Sequence, residues 1–182
     1  NTLVQEIWKW CYDHNNFITC VYLPGQLNTE ADKESRSIHD NAEWKLHVKL
    51  FEKICRKFGT PDIDLFASSL NHQLPRYCSW KPDPGAEHFD ALSCDWRGYF
   101  FYAFPPFSLI HKVLAKIERE RAEGILIVPF WPTQSWFSKF SSMIKGDPFI
   151  LFSNQLQPTL THPWRDESEL PKNLRLLVAQ VQ

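Results

Sequence analysis

Three groups of residues have types and spacings that could do chemistry. The first is Asp32, one helical turn beyond Asn28 in Asn28-Thr29-Glu30-Ala31-Asp32. A carboxylate there could ligate a divalent cation, but two cations about 4 Å apart need several hard oxygens. By themselves Asn28 and Asp32 read just as well as a helix cap and an exposed acid. The second group is Asp62 and Asp64, which alternate with apolar residues up to Ala67, with Asn71 close behind. A carboxylate at the end of a strand can meet an ammonium group or paired hydroxyls. The third is Phe104-Pro105-Pro106-Phe107, where an apolar run stops. Two prolines restrict the backbone and aim a carbonyl, and Phe107, with Trp131 or Trp136, offers a ring for stacking on a base. The plainer reading of the Pro-Pro pair is a strand terminator.

The elements that must position these residues follow from hydrophobic periodicity. Leu3, Val4, Ile7, Trp8 and Cys11 predict a helix over 3–12, followed by a β-prone run over 17–23 that stops at Pro24-Gly25, and a helix over 29–37. Such a helix–strand–helix unit is too small to stand alone. The polar stretch 36–42 marks a boundary. Beyond it Trp44, Val48, Phe51, Cys55 and Phe58 predict a helix closed by Gly59 and Pro61, and 62–67 a half-buried strand. A long irregular stretch rich in Pro, Asp and Trp covers 68–97. The runs 99–104 and 125–129 are buried strands, 109–117 an amphipathic helix, 133–144 helical, and 149–152 a further strand. The last thirty residues are Pro-rich and polar up to 174–181, which reads as a short helix. Alternation of this kind predicts βαβ units and an α/β, Rossmann-like, mainly parallel sheet over 43–150. Ligands of such sheets bind beyond the carboxyl ends of the strands, which points to the ends at Asp64, Phe104 and Pro129.

Bulk properties narrow the class. A chain of 182 residues with 43% hydrophobic and 23% charged residues can bury a core. Its net charge of −1 argues against a strong sequence-independent hold on phosphate backbones. Aromatics reach 15%, with 8 Trp and 14 Phe, which fits an aromatic core or a base-stacking surface. Five scattered cysteines form neither a disulfide framework nor a zinc knuckle, so a reducing interior is the default. No apolar run approaches a membrane span, so no membrane partner is expected.

The run Val21-Tyr22-Leu23-Pro24-Gly25 through Ala31-Asp32-Lys33-Glu34-Ser35-Arg36 resembles the end of retroelement RNase H domains. That resemblance implies a role for Asp32 as the last of four carboxylates holding two divalent metals (magnesium in the intact domain). Here the His that commonly precedes the turn is Tyr22, and the other three carboxylates would lie upstream, so Asp32 is part of an incomplete site.

Phe104-Pro105-Pro106-Phe107 resembles the Asp/Asn-Pro-Pro-Tyr/Phe motif of adenine-N6 methyltransferases. The likeness to phage-type DNA adenine methyltransferases extends through Asp64-Leu65-Phe66-Ala67-Ser68 with Asn71, Asp90-Ala91-Leu92 with Asp95-Trp96, and Thr133 with Trp136, over roughly 43–145. Each motif alone is weak; their shared order carries the likeness. In that family the first motif residue and the first Pro carbonyl accept the two amine hydrogens, and the final aromatic stacks on the flipped base. Phe104 offers no acceptor, a loss worth about 2.7–4 kcal/mol in barrier. The resemblance implies S-adenosylmethionine as cofactor, with Asp64 and Asn71 as its contacts and Trp131 and Trp136 on the substrate side. No Gly-rich loop follows any strand, and the chain has only 6 Gly.

An RNase H end followed by such a domain resembles the Pol polyprotein of DIRS-like, tyrosine-recombinase retroelements. The expected organisation is thus 1–39 as the end of an RNase H domain, 40–150 as the methyltransferase-like domain and 151–182 as a Pro-rich extension. The implied function is a degenerate methyltransferase-like module within a reverse transcriptase/RNase H polyprotein, acting on or binding element DNA or an RNA–DNA hybrid. A non-catalytic scaffold and an active adenine methyltransferase are the alternatives. An intracellular place is implied, with nucleus and cytoplasm left open.

Overall fold

A computed structural model describes residues 2–14, 44–152, 159–163 and 174–182. The chain divides into two compact units, Asn1–His39 and Asp40–Gln182. In the first unit the helix α1 (Thr2–Asp13) forms where the apolar stripe predicts it. Cys11 is buried, whereas Val4, Ile7, Trp8, Trp10 and Tyr12 are exposed. The predicted strand 17–23, the Pro24-Gly25 turn, the helix 29–37 and Asp32 lie outside the described residues.

The second unit is a mixed α/β domain with a mostly parallel seven-stranded sheet and flanking helices, compatible with a Rossmann-like fold. Its elements in chain order are β1 (Lys45–Leu46), α2 (Val48–Phe58), β2 (Ile63–Ala67), β3 (Tyr77–Ser79), β4 (His88–Phe89) and β5 (Phe100–Ala103). Then come a 3-10 turn (Phe107–Leu109), α3 (Ile110–Glu120), β6 (Glu123–Pro129), α4 (Phe137–Ser142), β7 (Ile144–Phe152), β8 (Leu160–Thr161) and β9 (Arg175–Val181). The sheet order is β4-β3-β2-β5-β6-β9-β7, and β1 pairs with β8 in a separate antiparallel ribbon. Neighbours from β4 to β6 are parallel, while β9 runs antiparallel to both β6 and β7. Six strands therefore point one way and β9 alone the other.

Side chains along the central strands alternate between two cores, as a period of two demands. Phe101 and Ala103 on β5, Leu126 and Val128 on β6, and Leu177 and Ala179 on β9 join one cluster with Val113, Leu114 and Ile117 of α3, Trp136 and Phe140. Tyr102, Ile125, Ile127, Leu176 and Val178 join the other with Phe51 and Ile54 of α2. Both faces being covered, β6 and β9 read as continuous apolar runs. Two glycines are required by geometry. Gly59 ends α2 at φ 96 with its amide on the Cys55 carbonyl, and a Cβ at Gly124 would stand 2.3 Å from the Phe101 carbonyl oxygen.

Four expectations need correction. The run 174–181 is the strand β9, not a helix, because both its faces are buried and its periodicity is thereby hidden. The stretch 151–182 consequently contributes an internal strand to the sheet rather than an extension. Strand 62–67 is not half-buried: β2 is central, and even Asp64 is enclosed. The irregular stretch 68–97 contains the short strands β3 and β4, whose three and two residues carry no periodic signal among prolines and acids. Among the described residues no helix is long and apolar enough to cross a membrane.

Candidate functional site

From β2 the chain steps outward through β3 to β4, then returns to place β5 on the other side of β2. The direction of winding thus reverses between β2 and β5, and the crevice beyond the carboxyl ends of these two strands is where an open α/β sheet takes a ligand. The third residue group of the sequence leaves β5 there. Phe104 is half-buried against the α2-side core, Pro105 is buried, and Pro106 and Phe107 are half-buried. Pro106 holds φ −50 and ψ 136, and its carbonyl accepts the Leu109 amide at 2.8 Å, opening the turn that leads into α3.

Phe107 meets two rings, Phe104 at 6.4 Å between centroids and Trp131 at 5.2 Å in an edge-on arrangement. Trp131 follows the carboxyl end of β6 and is 38% exposed. Its amide donates to Pro129 O at 2.9 Å and its carbonyl accepts from the Gln134 amide at 3.0 Å, which fixes the backbone that carries the ring. Phe107 and Trp131 thus come together as neighbours. Trp136 does not join them: it is 4% exposed and packs with Phe137 and Phe140, so its ring has no open face for a base.

The β2 side is arranged differently. Asp64 is the second residue of β2, three before the strand's end, and it is 2% exposed. It stands in register with Tyr77 on one side and Tyr102 on the other. Its Oδ2 accepts the Gln73 amide at 2.9 Å, while Oδ1 is buried without a hydrogen-bond partner. Burial pushes its pKa up to about 7, against the opposing pull of the Gln73 and Phe66 amides and the Lys45 charge. The covering loop is tied down from β1: Gln73 Nε2 donates to Leu46 O at 2.6 Å and Lys45 Nζ to His72 O at 2.8 Å.

Asn71 lies in the turn after β2, where its Oδ1 accepts the Ser68 amide at 2.7 Å. The Ser69 amide donates to Asp83 Oδ2 at 2.8 Å, and the Tyr77 hydroxyl to the same oxygen at 3.1 Å. Hydrogen bonds from the Gly85 and Ser69 amides hold the Asp83 carboxyl below its ordinary pKa. Asp62 accepts the Phe100 amide at 2.7 Å, which secures the start of β5. Asp90 accepts the Leu92 amide, and Asp95 pairs with Arg97 at 2.6 Å. These acids organise loops. Among the described residues no three His, Cys, Asp or Glu side chains group to hold a metal ion.

One feature was missed in the sequence because β3 and β4 were. Among the described residues of the second unit, the large apolar side chains left exposed are Val48, Leu70, Trp80, Phe89, Trp131 and Phe152. All but Val48 lie at or within three residues of a strand's carboxyl end: β2, β3, β4, β6 and β7 in turn. Since β7 runs the same way as β6, the five occupy one edge of the sheet. Lys81 Nζ lies 4.2 Å from the Trp80 ring centroid, a cation beside an open ring. The heavy aromatic composition was the available signal; which rings stay open depends on the strand order.

No family model matches the chain, and no curated protein matches it either.

Proposed function

We propose that the second unit is a methyltransferase-like module of a retroelement polyprotein, and that it binds nucleic acid through the carboxyl edge of its sheet without transferring a methyl group. The observation that carries this reading is the placement of Phe104-Pro105-Pro106-Phe107 at the switch point, with Phe107 against the half-open Trp131 ring. The mostly parallel seven-stranded sheet, compatible with a Rossmann-like fold, agrees with what the likeness of the motifs implies. The first unit is read, on its motif residues, as the end of an RNase H domain, with Asp32 as one ligand of its magnesium site.

The residues on the β2 side do not fit S-adenosylmethionine. Its amine and hydroxyls need exposed acceptors, yet Asp64 is enclosed under the 70–74 loop, and Asn71 and Asp83 are engaged by the turn they close. No glycine follows β2 to let a cofactor approach the backbone. Phe104 also lacks the acceptor that would localise an amine lone pair. What remains is stacking: open rings at one edge, with few cations, suit unpaired bases better than a duplex backbone.

Calorimetric titration of the full chain with S-adenosylmethionine, alongside anisotropy with a labelled single-stranded oligonucleotide and its duplex, tests this. Expected is no cofactor heat, binding of the single strand ahead of the duplex, and weakening of about 5- to 150-fold in Trp131→Ala, the range for losing one base stack. Micromolar cofactor binding abolished by Asp64→Ala would instead establish an active methyltransferase pocket. A folded protein that binds neither probe would favour the scaffold reading, for which the exposed Val4, Ile7 and Trp8 of α1 offer a docking face.

A further inference from the structure

In the sequence Cys78 and Cys94 are two of five scattered thiols, yet the fold brings them together. Cys78 lies in the middle of β3 and is 1% exposed, within the α3-side core. Cys94 belongs to the segment between β4 and β5 and is half-buried, so it is the member that a small solute can reach. The two sulfurs are 3.9 Å apart, between residues separated by 16 in sequence. The segment carrying Cys94 is anchored on both sides of it. Trp96 Nε1 donates to Ala91 O at 2.7 Å, and the Trp96 amide to Glu120 Oε2 at 2.9 Å. Cys94 is thereby held over Cys78 by contacts additional to the one between the two sulfurs.

Their hydrogen bonds give the two thiols unequal roles. Cys94 Sγ can donate to Ala91 O at 3.4 Å, which leaves Cys78 to donate to Cys94. That donation from Cys78, aided by the nearby Lys116 ammonium, favours the Cys94 thiolate. Cys78 is shifted the other way, by donating to Cys94 and by burial. A reachable sulfur with thiolate character next to a buried resolving thiol is the arrangement that oxidants select.

We propose that Cys78 and Cys94 are a redox-modification site, at which a hydroperoxide oxidises Cys94 and Cys78 then closes a disulfide. In the first step the Cys94 sulfur attacks the peroxide O–O bond. This forms Cys94 sulfenic acid and releases the peroxide's other half as an alcohol, or as water from hydrogen peroxide. In the second step the Cys78 sulfur attacks the sulfenic sulfur. The S–O bond breaks, and the departing hydroxide takes the Cys78 proton to leave as water. Two thiols are oxidised by two electrons, and one peroxide is reduced. Closure needs the sulfurs to approach from 3.9 Å to about 2.05 Å. Cys94 lies on a turn, so its side chain is the one to rotate toward Cys78, which β3 holds in place. A thiol-reducing environment would return both thiols by exchange, so the modification is reversible. Its structural effect is to staple β3 to the segment that leads into β5.

Treating the full chain with hydrogen peroxide, then alkylating it under denaturing conditions and mapping its peptides, tests the site. Trypsin cuts after Arg76 and Arg97 but not at Lys81, which precedes Pro82, so one peptide, 77–97, holds both cysteines. Expected is that this peptide loses two hydrogens and takes up no alkylating agent, while Cys55 remains alkylated. Cleavage after Glu87 should leave its two halves joined until a reductant is added. The oxidised chain should also unfold several degrees higher than the reduced one, as closing a loop of this length stabilises. In Cys94→Ser, a substitution at a half-buried turn, Cys78 should stay alkylatable after peroxide. Sulfinic acid at Cys94 with Cys78 still free, or a disulfide from either residue to Cys11, Cys20 or Cys55, would overturn the assignment.

Discussion

The two strands that meet at the switch point end in opposite ways. After β2, polar groups are spent on the protein itself: Asn71 closes the turn at Ser68, Asp83 holds Ser69, and Asp64 is covered by a loop tethered to β1. After β5 and β6, the chain turns with prolines and leaves the Trp131 ring exposed beside the half-buried Phe107. Polar groups that already have partners offer little to a cofactor, because a ligand would have to break bonds it can only replace. Aromatic faces open to water offer stacking at no such cost. The two halves of one crevice can thus diverge while the sheet that holds them stays intact.

The sharpest test of that contrast pairs two tryptophans five residues apart. Trp136→Ala removes a core ring and should cost about 3–5 kcal/mol in denaturant unfolding. Trp131→Ala should change stability by no more than about 1 kcal/mol, as at other surface positions. Equal losses would mean that Trp131 supports the fold rather than lining an open edge.

Asp64 gives the next largest effect, and its sign is set by protonation. The folded carboxyl titrates near 7, whereas the unfolded one titrates at its ordinary 3.8. Between these values the folded state binds more protons, so this group's contribution is fully present below 3.8, falls as pH rises, and is lost above about 7. Asp64→Asn should therefore gain stability relative to the wild type across that window, reaching a few kcal/mol by pH 8. Unfolding curves of both proteins at pH 5 and pH 8 read the difference directly. A gap that narrows toward pH 8 would show a carboxylate that keeps its charge when folded, as a ligand-facing acid must.

The smallest effect belongs to the β2 turn. Asn71→Ala should cost about 1–2 kcal/mol, since it strands the Ser68 amide that Asn71 Oδ1 accepts at 2.7 Å. Asn71→Asp keeps the acceptor and should recover most of this loss. Failure of Asp to rescue would place the importance of Asn71 in its amide nitrogen, and would reopen the turn as a binding element.

Much of the scaffold was legible. β5, α3 and β6 lie where stripes and apolar runs put them, and α2 does so from Val48 on, Trp44 of its expected stripe preceding the strand β1 instead; each buries a face wide enough to impose its period on the chain. β3 and β4 were not legible, since strands of three and two residues gain their pairing from neighbours rather than from a pattern. With them Trp80 and Phe89 went unnoticed as members of the edge. Asp64 was identified as a residue of interest, but its enclosure depends on Gln73 and Lys45 reaching back to β1, contacts that no local pattern records.

From residue order alone one obtains the α/β class, the helix and strand segments with strong periodicity, and the Pro-Pro turn after β5. Those are local matters, written in spacing and backbone stereochemistry. Three results belong to the folded molecule. β9 is a strand because it is inserted between β6 and β7, both of its faces being covered there. Cys78 and Cys94 become neighbours because the segment after β4 folds back across β3. The aromatic edge exists because strands far apart in sequence line up their carboxyl ends. Each of these depends on which segments pack together, and an apolar pattern specifies that a face must be buried without specifying what buries it.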